Sequence, residues 1–562
     1  MDLIHHILKS NPETALFASL FFGYIVGKIK IKGFSLGGVA GSLVMALLIG
    51  QLGVVVPESL KAVCFALFIY SVGFKSGPEF FGGLNRSSFK LVLSAVVQSV
   101  AALAITLVVA MLFGFGKGYA AGIGSGALTE TAMMGTAADA LGRMGLAKDN
   151  VTQLTSQMAV AFAVTYVFGT VGVIIFIRSV APRLMGVDLK KSARELEAHL
   201  SEGGHITRPG YITPFRPVVA RAFEVSLNTC VGRKVGELAK QFDRASIELI
   251  LRNDATIEPT LETMLQKGDI VGISGLLRPV MEAGESIGEE VESREALSFP
   301  VAISKVVVTS GQVAGKTLIQ VRDSIGMQNL QGVYLVSFKR QGLPVPILPN
   351  TEVRRGDIFE LAGRPSEVDR VAALLGRPEP AGGQSDLAFH ALGIVLGTML
   401  GLVSVPVFGI PATLGVGGGV LVAGLCFGWV HTRYPVFGAL PQPAQWILSE
   451  FGLSAFAAAV GLSAGPKAIA AIQQEGVSIL LAGVIVTLVP IITALYFGRF
   501  VLKLHPVVLL GALCGGQTVA ASLSAANEEA DSMTPVLGFT VTYAIANVLL
   551  AIWGPVIVAL VR

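Results

Sequence analysis

The sequence predicts an all-α polytopic membrane protein, built as two halves of opposite orientation around an inserted soluble α/β region. Three observations carry this reading. The 562-residue chain is 52% hydrophobic and 14% charged, where an ordinary soluble domain carries about 25% charged residues. The charge is concentrated, with 51 of 80 charged side chains between Ser179 and Asp386, so that apolar, polar and apolar regions follow one another. Short sequence matches also recur in the same order in the two apolar regions. The net charge of +4 carries no nucleic-acid signature. Cys64, Cys230, Cys426 and Cys514 form no CxxC pair, and three of them lie in apolar segments; they read as buried free thiols, with neither a metal site nor a disulfide framework. The amino terminus, MDLIHHILKSNPET, lacks a basic leader and a small-residue cleavage site, so the first apolar stretch is expected to stay as an anchor.

A helix needs about 20 mostly apolar residues to cross the hydrocarbon core. The stretches expected in the first half are Thr14–Val26, Leu36–Val56, Leu60–Phe74, Phe89–Phe113 and Met158–Ile177. Between the last two, Tyr119–Gly142 is rich in Gly, Ala and Thr and carries Glu130 and Asp139. It reads as a re-entrant or broken segment, because irregular backbone at membrane depth survives only inside protein or along a cavity. The second half repeats the plan with Leu387–Val405, Ala412–Val430, Trp446–Ala464, Val477–Tyr496 and Val536–Val561, the last preceded by the Gly/Ala/Ser/Thr segment Leu509–Asn527. Lys28, Lys30 and Lys32, then Lys75, Arg86 and Lys90, then Arg178, Arg183, Lys190, Lys191 and Arg194, fall on one side if each half has five spans. The positive-inside rule makes that side cytoplasmic and puts both termini outside. An odd span count per half turns the second half upside down.

The halves match in sequence as well. Val72-Gly73-Phe74-Lys75-Ser76-Gly77-Pro78 parallels Val460-Gly461-Leu462-Ser463-Ala464-Gly465-Pro466, Gly126 to Ala132 parallels Gly515 to Ala521 in placement, and Val164-Thr165-Tyr166 matches Val541-Thr542-Tyr543. Inverted repeats with interrupted helices are the architecture of alternating-access carriers. Two such segments entering from opposite faces would meet near the midplane. There, exposed backbone N–H groups and helix N-termini suit a carboxylate.

From these patterns the expected substrate-binding residues are Lys75, Gly126, Thr129, Glu130, Thr131, Ser463, Gly516, Gln517, Thr518 and Asn547, with helix breaks at Gly77-Pro78 and Gly465-Pro466. Lys75 is a cation beside a Gly-Pro step and can pair with a substrate carboxylate; as an alternative it snorkels to the cytoplasmic surface. Glu130 can carry a proton or a coupling cation, repel anions until protonated, or face a water-filled mouth. Gln517 and Thr518 offer neutral hydrogen bonds. Asp139 is expected to be solvated, and Tyr166 and Tyr543 to pack the last helix of each half, with lining the site beside Asn547 as the alternative.

The insert, about Phe215 to Gly376, contains its own repeat. Val231-Gly232-Arg233-Lys234-Val235 parallels Ala314-Gly315-Lys316-Thr317-Leu318, and Lys267-Gly268-Asp269-Ile270 parallels Arg355-Gly356-Asp357-Ile358. Short strands such as Ile247–Leu251 and Val333–Phe338 accompany a helix in each copy. The pattern resembles the TrkA-C domain, here in tandem. The resemblance implies a ligand-sensing or dimerising module; a scaffold without ligand is the alternative. No GxGxxG precedes it, so a dinucleotide site is not supported. The domain plan is a first membrane repeat at 1–180, TrkA-C-like domains at 205–290 and 295–378, and a second, inverted membrane repeat at 385–562.

The whole arrangement resembles the aspartate:alanine exchanger family. The resemblance rests on Gly23-Tyr24-Ile25-Val26-Gly27-Lys28, on Leu47 to Gly53, on Gly73 to Pro78, on Thr165 to Thr170, on Val460 to Ala464, on the tandem insert, and on Tyr543-Ala544-Ile545-Ala546-Asn547. It implies electrogenic exchange of external L-aspartate for internal L-alanine across the bacterial inner membrane. A homodimer is expected from the large apolar scaffolding helices and the insert, elevator-like alternating access by analogy, and no cofactor or metal is expected. A regulatory ligand at the TrkA-C-like domains is implied too. An exchanger of another dicarboxylate or acidic amino acid, or a TrkA-C-regulated channel, is the alternative; no TVGYG-like filter is present. Enzyme chemistry has no support, since no GxSxG, HExxH or P-loop pattern occurs and the seven histidines do not cluster.

Overall fold

The computed structural model describes residues 7–31, 34–35, 37–83, 88–201, 218–242, 245–326, 330, 332–378, 384–407, 410–413, 415–434 and 436–562. Lys32, Arg86 and residues 205–217, used in the sequence reading, lie outside the described residues. The chain separates into two compact units. One comprises Met1–Ala193, Gly382–Ala530 and Thr534–Arg562; the other comprises Arg194–Ala381 and Asp531–Met533.

The first unit is helical. α1 (Pro12–Gly27) leads through a two-stranded hairpin, β1 (Lys30–Ile31) and β2 (Phe34–Ser35), to α2 (Gly38–Gly50). α3 (Glu58–Gly83), α4 (Phe89–Phe113), the half-length α5 (Lys117–Ala127) and α6 (Thr131–Gly142), and α7 (Lys148–Ile175) follow. A π turn at Phe176–Val180 carries α7 into α8 (Ala181–Met185), and α9 (Leu189–Ser201) leads into the second unit. Among the described residues, six helices are long and apolar enough to cross a membrane, and four shorter ones are apolar. The protein is therefore a polytopic membrane protein.

The second unit is a pair of α/β lobes. Its first lobe contains β3 (Val218–Glu224), α10 (Val235–Gln241), β4 (Ala245–Arg252), β5 (Ala255–Ile257), β6 (Ile270–Leu276) and α11 (Leu277–Ile287). Its second lobe contains β7 (Ala302–Val308), α12 (Leu318–Ile325), β8 (Val333–Arg340), β9 (Leu343–Pro344), β10 (Ile358–Gly363), α13 (Pro365–Leu375) and β11 (Gly376–Pro378). The strand orders are β3-β6-β4-β5 and β11-β7-β10-β8-β9, antiparallel throughout. The same ion pair recurs in both lobes. Arg252 forks onto Asp269 with both bonds at 2.8 Å, and Arg340 onto Asp357 with both at 2.7 Å. Each arginine also donates to a backbone carbonyl, Met264 or Glu352. A fork of two parallel bonds fixes geometry as well as charge, which is why the Gly-Asp step recurs in the sequence. Each arginine closes a strand before a two-residue turn with both φ positive: Asn253 (50°) and Asp254 (62°), then Gln341 (51°) and Gly342 (78°). Such turns match the twist of the flanking strands.

Returning to the first unit, α14 (Leu387–Leu402), a hairpin of β12 (Ser404–Val407) and β13 (Ile410–Thr413), and α15 (Gly415–Arg433) repeat the opening of the chain. α16 (Gln442–Tyr496), the half-length α17 (Pro506–Gly516) and α18 (Ala520–Ala530), and α19 (Val536–Leu560) complete it. The element order of the first half recurs, with α16 standing for α3 and α4 together. The sequence reading expects two spans there, Trp446–Ala464 and Val477–Tyr496; they lie instead on one helix, extended by a π turn to Val501. The polar step between them, Gln473-Gln474-Glu475, consists of strong helix formers, and the helix continues through Gly476.

The expected helix breaks at Gly77-Pro78 and Gly465-Pro466 are not interruptions either: α3 runs through Pro78 and α16 through Pro466. These glycines serve packing. A Cβ on Gly73 or Gly77 would strike the backbone of α15 at Leu421 or Leu425, and one on Gly461 or Gly465 would strike α2 at Leu43 or Gly50. Between membrane helices, where burial of apolar surface supplies little drive, small residues allow the close approach that does.

Candidate functional site

α5 lies beside α7 and points the same way. A Cβ on Gly118, Gly122 or Gly126 would collide in turn with Leu154, Met158 and Phe162. Because the two helices are parallel, α6 must return the chain to the level at which α5 began. α5 and α6 are thus a helical hairpin whose tip is Leu128-Thr129-Glu130. The other pair repeats this: a Cβ on Gly511 would meet Pro535, and one on Gly515 would meet Phe539 and Thr542, so α17 runs parallel to α19 and α18 returns. The tip of the second hairpin is Gln517-Thr518-Val519.

α19, roughly 37 Å long at 1.5 Å per residue, relates the two hairpins. α17 starts beside the N-terminal end of α19. Lys117, at the start of α5, donates to the carbonyls of Val558 (3.0 Å) and Val561 at its C-terminal end. The hairpins therefore enter from opposite ends of α19, and their tips meet between. The meeting is reciprocal: Thr129 Oγ1 donates to the Gln517 carbonyl (3.3 Å), and Thr518 Oγ1 donates to the Leu128 carbonyl (3.1 Å). Both threonines adopt left-handed backbone, φ 54° and 56°. That conformation costs an L-residue roughly 1–2 kcal/mol, and a β-branched residue there is an outlier of the kind that clusters at functional sites.

Two residues not anticipated from the sequence hold the tips. Gln98 of α4 donates to Gln517 Oε1 at 3.0 Å and to the Leu513 carbonyl at 3.4 Å. Thr487 of α16 donates to the Ala127 carbonyl at 2.9 Å, and Gln517 Nε2 reaches the Thr487 carbonyl at 3.5 Å. The available signal was an amide in the middle of the apolar Phe89–Phe113 run, since an intramembrane polar group is expensive unless bonded. Gly126 and Gly516 are the seats that allow this contact: a Cβ would strike Thr165 Oγ1 on the first and Gln98 Oε1 on the second.

The two tips differ in charge. Glu130 is 4% exposed and caps α6, its Oε1 accepting from Ala132 N at 3.2 Å. Its other neighbours are the Thr518 hydroxyl and Tyr543. The corresponding residue of the second tip is Val519. Thr131 and Asn547 are buried nearby, Asn547 Nδ2 bonding the Tyr543 carbonyl at 2.7 Å. Thr129 and Thr518 are half-buried, while Ala520 and Ala521, at the start of α18, are exposed. The tips are thus buried at their core, with exposed residues at the start of α18.

Of the other expected residues, Lys75 is exposed on α3 and makes no hydrogen bond or ion pair with the tips among the described residues. Ser463 bonds its own helix at Ala459 O, 3.1 Å. Asp139, expected to be solvated, is engaged instead: it accepts from Val416 N at 3.0 Å, capping α15, and pairs with Arg143 at 3.2 Å. Cys426, expected to be buried, is exposed on α15. Tyr166 packs at a tilt against Phe162 and Tyr543 stacks on Phe539, each on its own helix, centroids 5.2 and 5.0 Å apart.

The family described as Predicted Permease Membrane Region (Asp-Al_Ex) matches residues 15–182 and 389–559, the two flanks of the insert. An uncharacterized transporter of Bradyrhizobium diazoefficiens is 40% identical over 100% of this chain and 99% of its own. One of Zymomonas mobilis is 36% identical over 100% and 99%, and one of Bordetella parapertussis 38% over 100% and 98%. No solved structure matches the chain. With both membrane halves matched and relatives aligned from end to end, the chain belongs to the aspartate:alanine exchanger family of membrane transporters.

Proposed function

We propose that this transporter exchanges L-aspartate for L-alanine across the bacterial cytoplasmic membrane, through two inverted repeats (1–180 and 385–562) that alternate access at the hairpin tips. The observation that carries the reading is the reciprocal contact of Thr129 and Thr518 between hairpins entering from opposite ends of α19. That arrangement supports a midplane site in which helix N-termini, tip hydroxyls, Gln517 and Asn547 receive substrate. Gly126, Gly516 and Thr131 shape it. Ser463 and Lys75 flank the path, Lys75 supplying the cation for a substrate carboxylate. The hairpins, carried by α7 and α19, slide as one body against α1–α3, α14 and α15. Aspartate carries one more negative charge than alanine, so each cycle moves charge. In the insert, the TrkA-C-like lobes, 205–290 and 295–378, serve as the dimerising module and the seat of a regulatory ligand. Both membrane termini lie outside.

The test is exchange in proteoliposomes. Vesicles loaded with L-alanine are expected to accumulate labelled L-aspartate and to develop a potential, whereas unloaded vesicles accumulate little; equal uptake by both sinks the exchange reading. Lys75→Ala is expected to weaken aspartate uptake more than alanine uptake, and unchanged affinity in the folded variant removes Lys75 from the path. If succinate or glutamate outcompetes aspartate, the exchanger is one of other dicarboxylates or acidic amino acids.

A further inference from the structure

Glu130 is a buried carboxylate whose surroundings contain no matching cation. Its partners are one backbone amide, Ala132 N at 3.2 Å, and the Thr518 hydroxyl. Among the described residues no lysine, arginine or histidine pairs with it. A buried carboxylate is retained only when it is paired, coordinated or neutralised. The second hairpin has no counterpart, because Val519 stands at that place, so the carboxylate is not a requirement of the hairpin fold. It also lies at the junction of the two tips, next to the half-buried Thr518, and Ala520 and Ala521, which follow in the second tip, are exposed.

We propose that Glu130 is the acceptor for the α-ammonium group of the substrate, and so selects amino acids over the corresponding acids that lack the amine. The inference rests on the hairpin tips being the substrate site. Aspartate and alanine share an α-ammonium and an α-carboxylate. A single anionic acceptor beside an open helix start recognises what the two substrates have in common, and leaves the side-chain carboxylate of aspartate to be met elsewhere. In this arrangement the arriving ammonium supplies the missing countercharge beside the Thr518 hydroxyl, whose proton is held by Leu128 O at 3.1 Å. The pair forms only when both tips are in place, so recognition of the amine reports on the assembled site.

The test uses the purified full-length protein, with binding of L-aspartate, succinate, L-alanine and N-acetyl-L-alanine measured by calorimetry and uptake measured in proteoliposomes. Wild type is expected to bind L-aspartate at least roughly thirtyfold more tightly than succinate, the effect of leaving one partner of a buried charge pair unmatched, and L-alanine over N-acetyl-L-alanine by a similar factor. Glu130→Gln keeps the shape and the cap on α6; it is expected to lose most of both ratios, and Glu130→Asp to retain part of them. A wild type that binds succinate and N-acetyl-L-alanine as well as the amino acids overturns the proposal without any variant having to fold. A folded Glu130→Gln that keeps both ratios, and loses only a pH dependence of uptake, overturns it in favour of a proton carrier. A protein that binds neither aspartate nor alanine overturns the exchange reading and this proposal together, whereas strong exchange with no discrimination against the amine-free analogues overturns this proposal alone.

Discussion

At the scale of single residues, the strongest feature is the pair of threonines in left-handed backbone. Each donates its hydroxyl to the opposite tip, so each strained conformation is held by the contact it makes. Serine at position 518 keeps the hydroxyl and is less crowded at Cβ; valine keeps the shape and loses the donor. Thr518→Ser is therefore expected to transport near wild-type rates. Thr518→Val keeps the strain of a β-branched residue and forfeits a hydrogen bond of about 1 kcal/mol, so it is expected to lower both the melting temperature and uptake. Heat-stability scans paired with uptake assays check this; a fully active Thr518→Val would mean that the tips do not depend on the reciprocal bond. Both threonines were legible as candidates from composition alone. Their backbone conformation and their pairing were not, because each partner lies nearly 400 residues away in sequence.

Among the elements, apolar length located most helices but not how they join. Phe89–Phe113 is the same in sequence and structure, since the polar run Asn85-Arg86-Ser87-Ser88 precedes it and Gly114, at φ 71°, closes it. In the run from Gln442 to Val501 apolar length marks two spans, Trp446–Ala464 and Val477–Tyr496, but the polar residues between them, Gln473, Gln474 and Glu475, are good helix formers and the helix continues through them. Gly-Pro reads as a break. In α3 the proline sits near the end of the helix, and the glycines before it are surfaces for α15. That account makes Gly77 a packing residue. Gly77→Ala would push a methyl into the Leu425 carbonyl, and overpacking of this kind costs about 1–3 kcal/mol. The variant is expected to unfold at lower temperature with its substrate affinity unchanged in the protein that remains folded. A loss of affinity at unchanged stability would assign the Gly-Pro step to the substrate path instead.

For the whole molecule, the stretch of concentrated charge, Ser179 to Asp386, nearly coincides with the main segment of the second compact unit, Arg194–Ala381. The candidate site was legible as two Gly/Thr segments entering from opposite faces; what was not legible is how the tips are fastened, by Gln98 and Thr487, because these lie on other helices far away in sequence. Direction is what the proposed topology claims. Five crossings and one re-entrant hairpin in each half, with the two expected spans that share α16 counted separately, would put residues near both termini outside and the Arg194–Ala381 unit inside. Cys426 is exposed, so labelling starts from a variant with the four native cysteines replaced. Single cysteines at Lys9 and Arg562 are expected to react with a membrane-impermeant maleimide in intact cells. A cysteine at Glu285, on α11 of the insert, is expected to react only after the membrane is opened. If the ends react only in opened cells, each half has an even number of crossings. The two hairpins would then enter from the same face, and a site between their tips could not be exposed to the two sides in turn by the movement of inverted halves.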